Sequence, residues 1–155
     1  MSEVKKINIL YVDDEINNLT SMKATFRTEY NIFTASSAAE GIKILSEKTI
    51  SIVISDQKMP EISGAEFLAS IKDEYPDTIR ILLTGYTDME ALIEAINKGQ
   101  IYYYLNKPWN EQQLRMLIEK SFEVYSLRIH NKELTKKLLE ANEQLEFLLR
   151  EKLLS

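Results

Sequence analysis

ISIVISDQKMPEISG, residues 50–64, opens with a β-branched apolar run from Ile50 to Ser55, stops at the acidic Asp56, and enters a loop marked by Met59, Pro60 and Gly64. A continuous apolar run of that length suits a strand buried on both faces, and a fixed proline dihedral beside a free glycine one marks the loop that follows. The arrangement recurs along the chain. Ile7 to Val12 precedes Asp13 and Asp14, Ile79 to Leu83 precedes Thr84, and Tyr102 to Leu105 ends two residues before Lys107. In an open parallel sheet polar chemistry gathers outside the carboxyl ends of the strands. Three carboxylates, a hydroxyl and an ammonium are therefore expected in one crevice.

The segments between these runs read as helices. In Ile16 to Glu29, Leu19, Met22, Lys23 and Phe26 fall three or four apart and mark one helical face. Asn31 to Ala35 reads as a strand, and Ser37 with Glu40 forms a capping-box pattern opening a helix to about Leu45. Ala65 to Glu74 and Asp88 to Lys98 are helical, and Thr78 to Thr84 and Tyr102 to Leu105 are strands. Strands alternating with helices imply right-handed crossovers and a parallel sheet covered on both faces. The expected fold is α/β, a flavodoxin-like doubly wound five-stranded sheet of order 2-1-3-4-5, that order resting partly on analogy with known folds. Alternation sends Tyr102 and Tyr104 to one face and Tyr103 to the other, so some of them should be core.

Composition narrows the function classes. The 155 residues carry 19 basic and 24 acidic side chains, net −5, which disfavours a general nucleic-acid or anionic-membrane surface. With no cysteine, neither a disulfide framework nor a thiolate metal site is available. No stretch reaches the roughly 18 apolar residues of a membrane helix, and the polar Met1 to Lys6 does not read as a signal peptide. A cytoplasmic protein is expected.

Four motifs in order, YVDDE (residues 11–15), VISDQKMPEISG (53–64), ILLTG (81–85) and YLNKPW (104–109), resemble those of the response-regulator receiver domain of two-component signalling. The resemblance spans about Lys5 to Lys120, and residues 83–109 further resemble receivers that precede an enzymatic output domain. Taken singly, an Asp-Asp pair after a strand is more often a helix cap, and a lysine before proline a solvated loop residue. The resemblance rests on their joint order.

Crowded carboxylates raise one another's proton affinity unless a cation neutralises them, and Mg²⁺ or Mn²⁺ suits an oxygen-only shell. The resemblance implies that Asp13 and Asp56 ligate the metal directly, Asp14 directly or through water, and Lys58 through its main-chain carbonyl. It implies Asp56 as phosphoacceptor, served by a sensor histidine kinase or phosphotransfer protein. Lys107, the Thr84 hydroxyl and the Gly85 backbone N–H would bind the phosphoryl oxygens, and Thr84 with Tyr104 would form the switch. Tyr86, two residues after Thr84, is expected to shield the acyl phosphate from water.

From Glu111 to Leu154 there is neither proline nor glycine, so one helix of about forty residues is expected. Val124, Asn131, Leu138, Leu145 and Lys152 at heptad position a put Leu127, Leu134, Ala141 and Leu148 at d, a seam of about four heptads. Leu139, Phe147, Leu149 and Leu153 lie off it, and His130 reads as an exposed helix residue. The domain reading is a receiver over residues 1–120 and a coiled-coil helix over 121–155, homodimeric through that helix and leading to an absent output domain such as a cyclase or phosphatase. Eight basic and eight acidic residues after Asn110 disfavour a DNA-binding output. The rival readings are an Mg²⁺-dependent phosphohydrolase, which would need an acid–base carboxylate where Gln57 and Lys58 follow Asp56, and a phosphorylation-independent dimerisation adaptor.

Overall fold

The computed structural model describes residues 6–85 and 89–154. Its elements are β1 (Asn8–Val12), α1 (Ile16–Phe26), β2 (Asn31–Ala35), α2 (Ala38–Glu47), β3 (Ile52–Asp56), α3 (Gly64–Ile71), β4 (Ile79–Thr84), α4 (Met89–Asn97), β5 (Tyr103–Asn106) and α5 (Glu111–Leu154). All strand pairings are parallel, as the alternation of elements predicts, and the sheet order is β2-β1-β3-β4-β5, the one expected partly by analogy.

Side-chain alternation divides the core into two layers. Ile9 and Tyr11 of β1, Ile52 and Ile54 of β3, and Ile79, Ile81 and Leu83 of β4 pack with Met22 and Phe26 of α1 and Leu114 and Ile118 of α5. Leu10, Val12, Val53 and Leu82 point the other way, onto Leu45 of α2, Phe67 and Leu68 of α3, and Leu92 of α4. The three inner strands are thus apolar on both sides, which is why their sequences show no polar alternation. Arg80 is the exception on β4. It is buried, and its guanidinium donates to the carbonyls of Gly99 and Gln100 at 2.9 and 3.0 Å. Lys72 donates to the Lys98 carbonyl at 2.9 Å. Two cations therefore meet carbonyls just past the end of α4, where the helix dipole is negative.

Several expectations shift in detail. α1 ends at Phe26, three residues short of Glu29, because the amides of Glu29 and Tyr30 both turn back onto the Phe26 carbonyl. The Ser37 hydroxyl caps α2 by accepting from Glu40 N, but the Glu40 carboxylate reaches Ser36 N and Oγ instead of the Ser37 amide. None of the three adjacent tyrosines is buried. Tyr102 and Tyr103 are exposed, whereas Tyr104 is half-buried and packs against the layer that holds Leu82 and Leu92. Its ring stacks on that of Tyr103 at 5.8 Å.

α5 is one helix of 44 residues, as the absence of breakers predicts. One compact unit extends to Tyr125 and a second comprises Ser126 onward. His130 is exposed, and so is every described residue after it.

Gly64 opens α3 directly behind the phosphoacceptor candidate. A Cβ there would overlap the Asp56 carbonyl oxygen and crowd Leu82. Gly64→Ala is expected to lower the stability measured by urea unfolding by about 1–3 kcal/mol, the usual effect of overpacking; an unchanged midpoint would show that the backbone yields freely.

Candidate functional site

The strand register sets the positions of the polar groups. Val12 pairs with Ser55, so Asp13 and Asp56 follow on adjacent strand ends. Asp56 pairs with Leu83 and Thr84 with Asn106, which brings Thr84 and Lys107 to the same edge of the sheet. Hydrogen bonds continue past these ends: Asp13 N donates to Ala35 O at 3.1 Å, Gln57 N to Leu83 O at 2.9 Å, and Lys107 N to Thr84 O at 2.7 Å. The backbone thus fixes Asp13, Lys107 and the residue after Asp56 at the strand ends.

The side chains meet. Lys107 Nζ lies 2.6 Å from Asp56 Oδ1 and 3.7 Å from Asp13 Oδ2. Oxygens of Asp13, Asp14 and Asp56 all fall within 4.8 Å of one another. Asp13 and Asp56 are buried and Asp14 is exposed. Asp14, Asp56, Lys58, Thr84, Gly85 and Lys107 line a cavity of about 400 Å³, together with Glu15 and Gln57. Tyr104 is not among the residues around that cavity. Tyr86 lies outside the described residues. A Cβ on Gly85 would meet nothing within 4 Å, so a larger residue fits there sterically.

Three carboxylates against one ammonium leave uncompensated negative charge. Burial raises the Asp56 carboxyl above its ordinary value; the Lys107 hydrogen bond and charge pull it back, and Asp13 adds to the rise, with a net upward shift. Burial alone would lower Lys107, but the hydrogen bond to Asp56, the Asp56 charge, Asp13 and Glu15 outweigh it, and the ammonium is held more firmly than usual. The donor set is entirely oxygen and the excess charge is negative, which fits a hard divalent cation.

Sequence reasoning missed four groups. Tyr11 donates to Asp13 Oδ2 at 2.6 Å, Asn18 Nδ2 donates to the same oxygen at 3.0 Å, and Glu15 N donates to Asp13 Oδ1 at 3.0 Å. Burial first, and then the Asp13 hydrogen bond, raise the Tyr11 phenol, so it remains a donor. Gln57 Oε1 accepts from Ala65 N at 2.9 Å and ties the strand end to α3. Tyr11 was legible, since residues two apart on a strand share a face; Asn18, a helix turn away, was not.

An acidic, lysine-bearing pocket at the carboxyl ends of a doubly wound parallel sheet defines a class of α/β domain. The sequence matches the family described as response regulator receiver domain over residues 9–119. The chain belongs to that family, whose members serve two-component signalling. The hydrogenase transcriptional regulatory protein HoxA of Cupriavidus necator is 34% identical over 124 residues, covering 80% of this chain and 26% of its own length. A putative NtrX-like response regulator of Rickettsia felis is 33% identical over 143 residues, 90% of this chain and 30% of that protein. The chain thus spans between a quarter and a third of these curated relatives. Among solved structures, a response regulator receiver domain protein from Clostridium thermocellum superposes with TM-score 0.73 at 35% identity, over 78% of this chain and 98% of that one. A structure described as the adenylate cyclase from Rhodopirellula baltica superposes with TM-score 0.82 at 27% identity, over 86% and 99%.

The direction of the Asp56 shift gives a sign. A carboxyl raised in the folded state destabilises it wherever that group is ionised, and the lost stability returns as pH falls through the raised value. In metal-free buffer at neutral pH, Asp56→Asn is expected to raise the thermal midpoint, with the difference from wild type shrinking toward acid. A lower midpoint for the variant at neutral pH would contradict this.

Proposed function

We propose that the chain is a phosphorylation-dependent signalling switch that accepts a phosphoryl group on Asp56 from a histidine kinase or phosphotransfer protein. The observation that carries this reading is the contact of Lys107 Nζ with Asp56 Oδ1 at 2.6 Å beside the Asp13 and Asp14 carboxylates. A divalent cation, Mg²⁺ or Mn²⁺, held by Asp13, Asp14, Asp56 and the Lys58 main-chain carbonyl, would neutralise the carboxylates and the phosphoryl oxygens. An Asp56 carboxylate oxygen attacks phosphorus; the new O–P bond forms as the bond to the donor's imidazole nitrogen, or to the acetate oxygen of acetyl phosphate, breaks. The Lys107 ammonium and the hydroxyl of Thr84 then hold equatorial oxygens, with the Gly85 N–H as a further donor.

The switch that the family resemblance implies for Thr84 and Tyr104 is compatible with the pleat. Tyr104 pairs with Leu82, which lies two residues before Thr84 and therefore on the same face of the sheet. A Thr84 drawn toward the phosphoryl group leaves space one pleat from Tyr104, and the half-buried ring enters it. Phosphorylation adds about −1.5 to −2 charges, ample to bias such a pair of states.

This is a regulatory phosphoacceptor that catalyses only its own phosphorylation and dephosphorylation. Gln57 is tied to Ala65 and Lys58 is exposed, so no acid–base carboxylate follows the nucleophile. Among the described residues no helix is long and apolar enough to cross a membrane, in keeping with a cytoplasmic role. The domain boundaries we favour are 1–120 for the receiver and 121–155 for a coiled coil. Leu134, Leu138, Leu145 and Leu148 are 49%, 62%, 58% and 58% exposed in the single chain, and a second copy aligned along this a/d seam would cover them. The resemblance to a structure described as an adenylate cyclase supports an enzymatic output joined to this helix.

Incubation with acetyl phosphate and Mg²⁺ is expected to add one phosphoryl group, about 80 daltons by intact mass, to wild type and none to Asp56→Asn; equal gains would refute the assignment. Sedimentation equilibrium should show a dimer at micromolar concentration that Leu134→Lys with Leu138→Lys converts to monomer; a monomeric wild type would exclude the seam.

A further inference from the structure

Asp13 is fully buried and its two oxygens are unequally engaged. Oδ2 accepts from the Tyr11 hydroxyl at 2.6 Å and from Asn18 Nδ2 at 3.0 Å, with the Lys107 ammonium 3.7 Å away. Oδ1 accepts from Glu15 N at 3.0 Å. A carboxylate offers about four lone-pair sites, so neutral donors fill both sites on Oδ2 and leave one on Oδ1. The tyrosine that supplies one of these donors is itself buried. Tyr11 is 1% exposed, packed among the aliphatic residues of β1, β3 and β4 and the α1 side chains Met22 and Phe26. An aliphatic residue would fill that apolar layer without a polar atom to satisfy, whereas a buried hydroxyl costs free energy unless it is bonded. Its partner is the carboxylate at the strand tip.

We propose that Tyr11 is a positioning residue for the acidic pocket: its hydroxyl, with Asn18, saturates Oδ2 of Asp13 and so leaves the remaining lone pair on Oδ1 for a divalent cation. This rests on the reading of Asp13, Asp14 and Asp56 as a cation site. Ligating carboxylates are commonly oriented by hydrogen bonds from residues behind them, and losing such a partner weakens metal binding about 10–100-fold.

The test is Mg²⁺ titration of the full chain by calorimetry at neutral pH, comparing wild type with Tyr11→Phe, which keeps the ring and removes one oxygen. The expected result is a dissociation constant raised about tenfold with an unchanged far-ultraviolet circular dichroism spectrum. A merely structural hydroxyl would lower the metal-free thermal midpoint and leave the dissociation constant within about twofold of wild type, and that result overturns the proposal. Should Tyr11→Phe fail to fold, Asn18→Ala removes the other donor from a partly exposed side chain; weaker Mg²⁺ binding supports the assignment and unchanged binding overturns it. A wild type that binds no Mg²⁺ would instead overturn the cation-site reading on which the proposal stands.

Discussion

Asp13 and Asp56 are two buried carboxylates on neighbouring strand ends with one ammonium, that of Lys107, to offset them. In water the three groups would separate; here the sheet forbids it. Backbone hydrogen bonds from Asp13, Gln57 and Lys107 prolong the strand ladders around them, and Gly64 lets α3 close against the Asp56 carbonyl from behind. The excess negative charge is therefore built into the fold and not an accident of side-chain placement. Such a site suits a hard cation, and under the proposed function a phosphoryl group would approach Asp56 once the repulsion is relieved.

The rest of the molecule holds that constraint and gives it somewhere to act. The Trp109 ring stacks on Phe26 at 6.0 Å, and the Arg115 guanidinium lies over the same Phe26 ring, 5.5 Å from its centroid, while bonding Glu29. The loop bearing Lys107 is thereby fastened to α1. On the opposite layer, Arg80 and Lys72 fix the segment after α4 through its carbonyls. Displacement near Thr84 would thus meet a far end of α4 that is already held.

Much of this was legible in the sequence because it depends on periodicity. Apolar runs that end at Asp13, Asp56 and Thr84 give the strands to within a residue or two, and parallel topology then dictates that their tips converge. The absence of glycine and proline after Asn110 gives α5 its full length. What could not be read depends on tertiary contact: the early stop of α1 at Phe26, the burial of Arg80 in a strand that reads as apolar, the approach of Gly64 to Asp56, and the Asn18 bond to Asp13. The tyrosine run was legible only in part: alternation puts Tyr103 and Tyr104 on opposite faces, and Tyr104 does pack against the core, but how far helices cover each face of β5 depends on tertiary contact.

The central claim is that the acidic residues and Lys107 form one pocket that accepts a phosphoryl group together with a divalent cation. The most direct measurement is a titration of isotope-labelled protein with beryllofluoride, a phosphoryl mimic, followed by amide chemical shifts with and without Mg²⁺. The account predicts large changes around Asp13, Asp56, Thr84, Gly85 and Lys107 only when both reagents are present. Changes confined to one of these strand tips, or identical spectra with and without Mg²⁺, would contradict it.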